Sequence, residues 1–224
     1  MVEDTKGRIR AVALELFTAH GYEQTSLREI ADRVGITKAS LYYHHPSKQA
    51  LLVAIVEPLL RDWRMMVERL ESVPHTPDHV RDALGECLNT MLRHREACAL
   101  FARDVPALLT AVGPVLVEAK ELASRMNTWL AGPDPGQADL VRAYAASEVL
   151  RSALASAIML PSVPQEELRA TLLDVAAAVL GLPPPDPASG AAGRPGAWRP
   201  FGGSEIHNPE CTMGDSGGSL AADS

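Results

Sequence analysis

Aromatic side chains are scarce in this 224-residue chain, at 4% against 46% for all apolar types. A core of that composition must be built from Leu, Val and Ala rather than from rings. Long apolar runs are missing too. Gly, Pro or polar and charged residues interrupt each stretch before it reaches the ~18 residues of a membrane-spanning helix. The opening Met1-Val-Glu-Asp-Thr-Lys-Gly-Arg8 has no apolar segment and does not read as a signal peptide. Cysteine is limited to Cys87, Cys98 and Cys211, an odd number with no CxxC pair. That suits a reducing cytoplasm better than a disulfide scaffold. The expected location is cytoplasmic, with no membrane partner.

Positive charge is also in short supply. There are 21 Lys+Arg against 28 Asp+Glu, a net of −7. The deficit is uneven: residues 1–50 carry 7 against 6, a net of +1, and residues 51–224 carry 14 against 22, a net of −8. Any contact with nucleic acid must therefore come from the first 50 residues. No Ser/His/Asp or Cys/His arrangement, Gly-rich phosphate loop or metal cluster is evident, so no catalysis and no cofactor is expected. His75 and His79 have a metal-ligand spacing, but Pro77 lies between them and no third ligand is near. His94 and Cys98 likewise lack partners.

What the chain does have is helical periodicity almost throughout, and no alternating strand pattern. Ile9, Val12, Ala13, Leu16 and Phe17 form one apolar stripe, stopped at Gly21. Leu27, Ile30, Ala31 and Val34 form a shorter one, ended by Gly35. A third helix is predicted from Thr37 to about His44. A long helix follows Pro46-Ser47, with Leu52, Ile55, Val56, Leu59, Leu60, Trp63, Val67 and Leu70 on one face. Pro58 inside it removes a hydrogen bond to the Ala54 carbonyl and predicts a kink. After the 72–78 loop, further helices are predicted to 112, at about 114–130, 137–160 and 165–181. Residues 182–224 hold 7 Pro, 8 Gly and 5 Ser and read as a disordered tail.

Three helices in the first 45 residues, two of them short and joined at a glycine, suggest a helix-turn-helix. Ser26 and Glu29 have capping-box spacing, Gly35 suits a turn needing φ > 0, and Thr37 suits an N-cap. The third helix would expose Lys38, Ala39, Ser40, Tyr43 and His44, the mix of small, hydroxyl and cationic groups that a groove-reading helix needs. Lys48 is placed for a phosphate. Arg28 is also four residues before Asp32, a helix ion-pair spacing. Tyr42 reads equally as packing and as contact.

Residues 12–52, VALELFTAHGYEQTSLREIADRVGITKASLYYHHPSKQALL, closely resemble the N-terminal signature of TetR-family regulators. The matches include Leu16-Phe17, Gly21-Tyr22, Thr25-Ser26, Ile30-Ala31, Gly35-Ile36, Leu41-Tyr42-Tyr43-His44 and Ser47-Lys48. His45 departs from the usual Phe. The resemblance implies an all-α homodimer: a three-helix DNA-binding domain at 1–47, then a helical ligand-binding and dimerisation domain at 48–181. It implies DNA contacts at Ser26, Arg28, Thr37, Lys38, Ala39, Ser40, Tyr42, Tyr43, His44 and Lys48. The expected function is a repressor released from a pseudo-palindromic operator by a small-molecule effector. The alternatives are a helical carrier or enzyme with a vestigial helix-turn-helix, and a regulator without an effector. In this architecture Trp63, Met66, Met91, Phe101, Met126, Trp129, Tyr144 and Glu148 are the ligand-site candidates. Each of the large apolar ones reads also as core. Glu148 either pairs with Arg151 or Arg142 or faces the ligand. Alanine-rich segments at 143–157 and 176–178 read as close-packed helices, either an intramolecular core or a four-helix dimer interface.

Overall fold

The computed structural model describes residues 2–103 and 113–184, which all lie in one compact unit spanning residues 1–193. Among the described residues the chain is helical with no strand: α1 (Val2–His20), α2 (Leu27–Val34), α3 (Lys38–His44), α4 (Lys48–Glu71), α5 (Pro77–Arg93), α6 (Arg95–Arg103), α7 (Gly113–Ala131), α8 (Gln137–Arg151), α9 (Ala153–Met159) and α10 (Gln165–Val179). The tail expected beyond residue 182 falls almost wholly outside the described residues. The predicted breakers Gly21 and Gly35, and also Gly132, have positive φ at helix ends, where a side chain would be strained.

The first three helices close on Ile9, Ala13, Leu16, Phe17, Ile30 and Leu41, all buried. Phe17 meets Tyr22 edge-on at 5.2 Å. Thr25, inside this core, donates its hydroxyl to the Gly21 carbonyl at 2.9 Å. Arg8 bonds the Val34 carbonyl at 2.8 Å, so α1 satisfies an acceptor at the end of α2. The α4 helix continues through Pro58 and buries Leu51, Leu52, Ile55, Val56, Leu59 and Leu60 along one face. That face packs on α1, α5 and α7.

Ion pairs stitch α4 to its neighbours. Arg64 pairs with Glu118, and Arg125 holds Glu71 with bonds of 2.8 and 2.6 Å. These lie at the surface, where solvent and salt screen them, so they contribute little to stability. Asp62 accepts from Arg93 at 3.0 Å and sits 2.8 Å from His94 Nε2. The two bases hold its carboxyl below the usual carboxylate range despite partial burial.

Two expectations are corrected here. The helix predicted over 137–160 is two helices meeting at Ser152, whose hydroxyl bonds the Val149 carbonyl at 2.6 Å. Such back-bonding bends a helix, and no apolar pattern reveals it. The second concerns the 72–78 loop, which is shorter than predicted. Thr76 caps α5 by accepting from His79 N–H, and Pro77 takes the first helical position, which suits a residue with no N–H. His75 and His79 each turn to a backbone carbonyl, at Leu130 and Pro74.

Candidate nucleic-acid interface

Each short helix of the N-terminal region starts on a side-chain cap. Ser26 Oγ accepts from Glu29 N–H at 3.1 Å, and Glu29 returns a contact to Ser26 N–H at 3.5 Å. Gly35 follows α2 at φ 78°, with its N–H on the Ala31 and Asp32 carbonyls and the Ile36 N–H also on Ala31. This six-to-one bond closes a tight turn. Thr37 Oγ1 accepts from Ser40 N–H at 3.1 Å and begins α3 within three residues of the turn. Ser47 caps α4 through Ala50 N–H at 3.0 Å.

The turn and caps set how α3 is presented. Leu41 and His45 point inward and are buried. Lys38, Ala39, Tyr42 and Tyr43 are exposed, Tyr43 at 85%. Lys38 Nζ lies 5.6 Å from the Tyr42 ring centroid. Tyr43 meets His44 edge-on at 5.4 Å. Ser40 and His44 are half-buried beside them. Ser26 and Arg28 sit on the exposed start of α2, and Arg28 is only loosely paired with Asp32, at 3.9 Å. Eight of the ten candidates thus lie on α3, at its cap or at the start of α4, and Ser26 and Arg28 lie at the start of α2.

Lys48 is more constrained than the sequence suggests. Its ammonium is 4.3 Å from the Tyr22 ring centroid and donates to the Glu23 carbonyl at 3.2 Å. Burial lowers its pKa, with Glu23 acting in the other direction. An ammonium has three donors, so this perch aims it without exhausting it. Tyr22 is thus a positioning residue that sequence reasoning missed. Its place after Gly21 was visible, but its ring contact depends on the α1–α4 crossing. His45 stands where the resemblance calls for Phe. It is only 6% exposed, and its Nε2 has no partner among the described residues. Burial lowers its pKa, and the cations of His44, Arg10 and Lys6 lower it further.

The ligand-site candidates differ in exposure. Met66, Met91 and Met126 are buried, and Trp63 and Trp129 are half-buried. Trp129 meets His75 edge-on at 5.1 Å. The Phe101 side chain lies outside the described residues. Tyr144 is 57% exposed, off the face of α8 that buries Ala143, Ala146 and Leu150. The Ala-rich face was taken by packing, which turned the tyrosine outward. Glu148 Oε1 is 2.9 Å from Arg151 Nη1, the ion pair foreseen as one alternative. Cys87 and Cys98 are pushed up to about 12 and about 11 by burial, which leaves little nucleophilic thiolate.

This geometry defines a helix-turn-helix module carried on an all-helical body. Residues 9–55 match the family model for bacterial regulatory proteins of the tetR family. The chain is 37% identical over 62 residues to the HTH-type transcriptional regulator RutR of Escherichia coli K12, covering 28% of this chain and 29% of RutR. It is 30% identical over 142 residues to an HTH-type transcriptional regulator of Saccharopolyspora erythraea, covering 63% of this chain and 56% of that protein. The alignments thus span less than two thirds of these relatives. Across the body, the Mycobacterium smegmatis AmtR crystal structure superposes with a TM-score of 0.65 at 27% identity, covering 77% of this chain and 84% of that one. The N-terminal segment is thus similar to that of tetR-family regulators, and the chain as a whole is similar in fold to AmtR.

Proposed function

We propose that this chain is a homodimeric DNA-binding transcriptional regulator, a repressor that leaves its operator when a small molecule binds. The observation that carries the reading is the exposed side of α3. The cap and turn start α3 so that Lys38, Ala39, Tyr42 and Tyr43 are exposed, and Lys48 begins the next helix with its ammonium held on the Tyr22 ring. Small residues let a helix enter the major groove, and the lysines, hydroxyls and ring edges suit bases and phosphates. Residues 1–47 would bind DNA and residues 48–181 would bind effector and partner.

Dimerisation is supported by exposed apolar side chains on the two helices that pack together near the C-terminus. Val141 and Tyr144 of α8 and Val175 of α10 face solvent in the single chain. A second copy would cover them, and two copies would place two recognition helices about 34–36 Å apart for pseudo-palindromic half-sites. For an effector, Trp63 is a suggestive wall residue. Its indole N–H is buried without an acceptor among the described residues, a group that normally finds one. Since α4 runs from Lys48 to Trp63 and Met66, it can carry a shift from the body to the DNA-facing end. A coupling of about 1–3 kcal/mol would change DNA affinity roughly 5–150-fold.

The test is selection of genomic fragments with the purified protein, followed by binding isotherms at several salt concentrations. A pseudo-palindromic site is expected. Lys48→Ala should weaken all sequences alike and reduce the salt slope by about one, whereas substitution of Ala39 or Ser40 should change sequence preference. Recovery of no palindromic site would overturn the reading.

A further inference from the structure

Away from the helix-turn-helix, Leu88 and Leu92 of α5, Ala153 of α9, Leu160 just beyond it, and Leu168 and Leu172 of α10 line a cleft of about 240 Å³. None of the ligand-site candidates discussed above lines it. Its charged wall consists of Arg95 and Arg169, with Gln165 as the neutral polar group. No carboxylate lines it, in a chain whose acids outnumber its Lys and Arg by 28 to 21.

Neither guanidinium is neutralised by an ion pair among the described residues, and Arg169 is also held in place. Arg169 donates its Nε to Asn89 Oδ1 at 3.2 Å. Its Nη2 lies over Gly85, where an added Cβ would sit 3.9 Å away. Arg95, at the start of α6, is exposed and has no ion pair among the described residues. Beside them α10 begins at Pro164, which supplies no side-chain cap, with Glu166 and Glu167 in its first turn.

We propose that this cleft binds a small amphipathic monocarboxylate. The carboxylate lies between Arg95 and Arg169, and its short aliphatic or single-ring body lies against the leucines. Guanidinium and carboxylate match as paired donors and acceptors. The volume falls below the ~300–1,000 Å³ typical of drug-sized ligands, which favours a short body. Occupancy would tie α5 to α10 across the 160–164 connection.

Calorimetric titration of the full chain at constant ionic strength tests this, with sodium octanoate, 1-octanol and sodium acetate as probes. Octanoate should bind at one site, about tenfold or more tighter than either control, since charged hydrogen bonds and apolar contact are both needed. R95Q and R169Q should each weaken octanoate about tenfold while leaving octanol unchanged. R142Q, on α8 and outside the cleft, should leave octanoate affinity intact. Arg95 is at the surface, so R95Q is the variant whose fold is least in question. Octanol binding as tightly as octanoate, unaltered octanoate affinity in both cleft variants, or no octanoate binding at millimolar concentration would overturn the proposal. No DNA enters the measurement, so it stands or fails separately from operator recognition.

Discussion

The N-terminal helices and the last three described helices are held in different ways. In the first region α2, α3 and α4 each begin on a serine or threonine whose oxygen accepts a backbone N–H three residues on. In the second, α8, α9 and α10 begin at Gly136, Ser152 and Pro164, whose own side chains make no N-cap bond; α8 has only the return bond from Gly136 N–H to Asp139, at 3.0 Å. They rely instead on close alanine packing, with Ala143, Ala146, Ala153 and Ala176 all buried. A region that must present a short helix at a set angle needs its start fixed locally. Helices that lie against long neighbours are positioned by the neighbours.

Cutting out a core contact should have the largest effect. Leu41 is fully buried and is the sole buried side chain within α3. Leu41→Ala should cost about 2–5 kcal/mol in denaturant unfolding, and DNA binding should fail with it. Overfilling the alanine packing comes next. Ala146→Leu should cost about 1–3 kcal/mol; a neutral result would show that α8 and α10 are less closely packed than their burial implies.

Acid should strike the first region selectively. In the fold His45 titrates below its ordinary value because of burial. The unfolded chain therefore binds its proton better. The stability from neutral His45 is complete above about pH 6.5 and is lost as pH falls through the lower folded value. His45→Phe should flatten this dependence, as read from melting temperature between neutral pH and about pH 5.

Smaller still is the cap. Thr37→Ala should cost about 1 kcal/mol, and Thr37→Ser should restore most of it. Ser152→Ala, which removes no cap, should stay within about 0.5 kcal/mol. If the two alanine variants cost the same, the contrast between the regions fails. The smallest effect is expected at the chain end. Leu182 N–H bonds the Ala177 carbonyl at 3.0 Å, and Arg81 bonds the Pro183 carbonyl. Truncation after Pro184 should leave the melting temperature unchanged, whereas truncation after Gly181 removes both bonds and should cost about 1 kcal/mol.

The sequence by itself determined the order and approximate ends of the helices, because 3.6-residue periodicity and Gly, Pro, Ser and Thr punctuation act over a few residues. It determined the helix-turn-helix for the same reason: Ser26 with Glu29, Gly35 and Thr37 are local devices, and the family signature lies within one continuous stretch. Tertiary structure alone decided what depends on helices crossing. It set Lys48 on the Tyr22 ring, turned Tyr144 outward and Met66, Met91 and Met126 inward, and broke the 137–160 helix at Ser152. It also brought Arg95 and Arg169, 74 positions apart in the chain, to the walls of one cleft. Apolar periodicity says that a side chain is covered. It does not say which helix covers it, because burial is non-directional and many partners of similar size satisfy it equally.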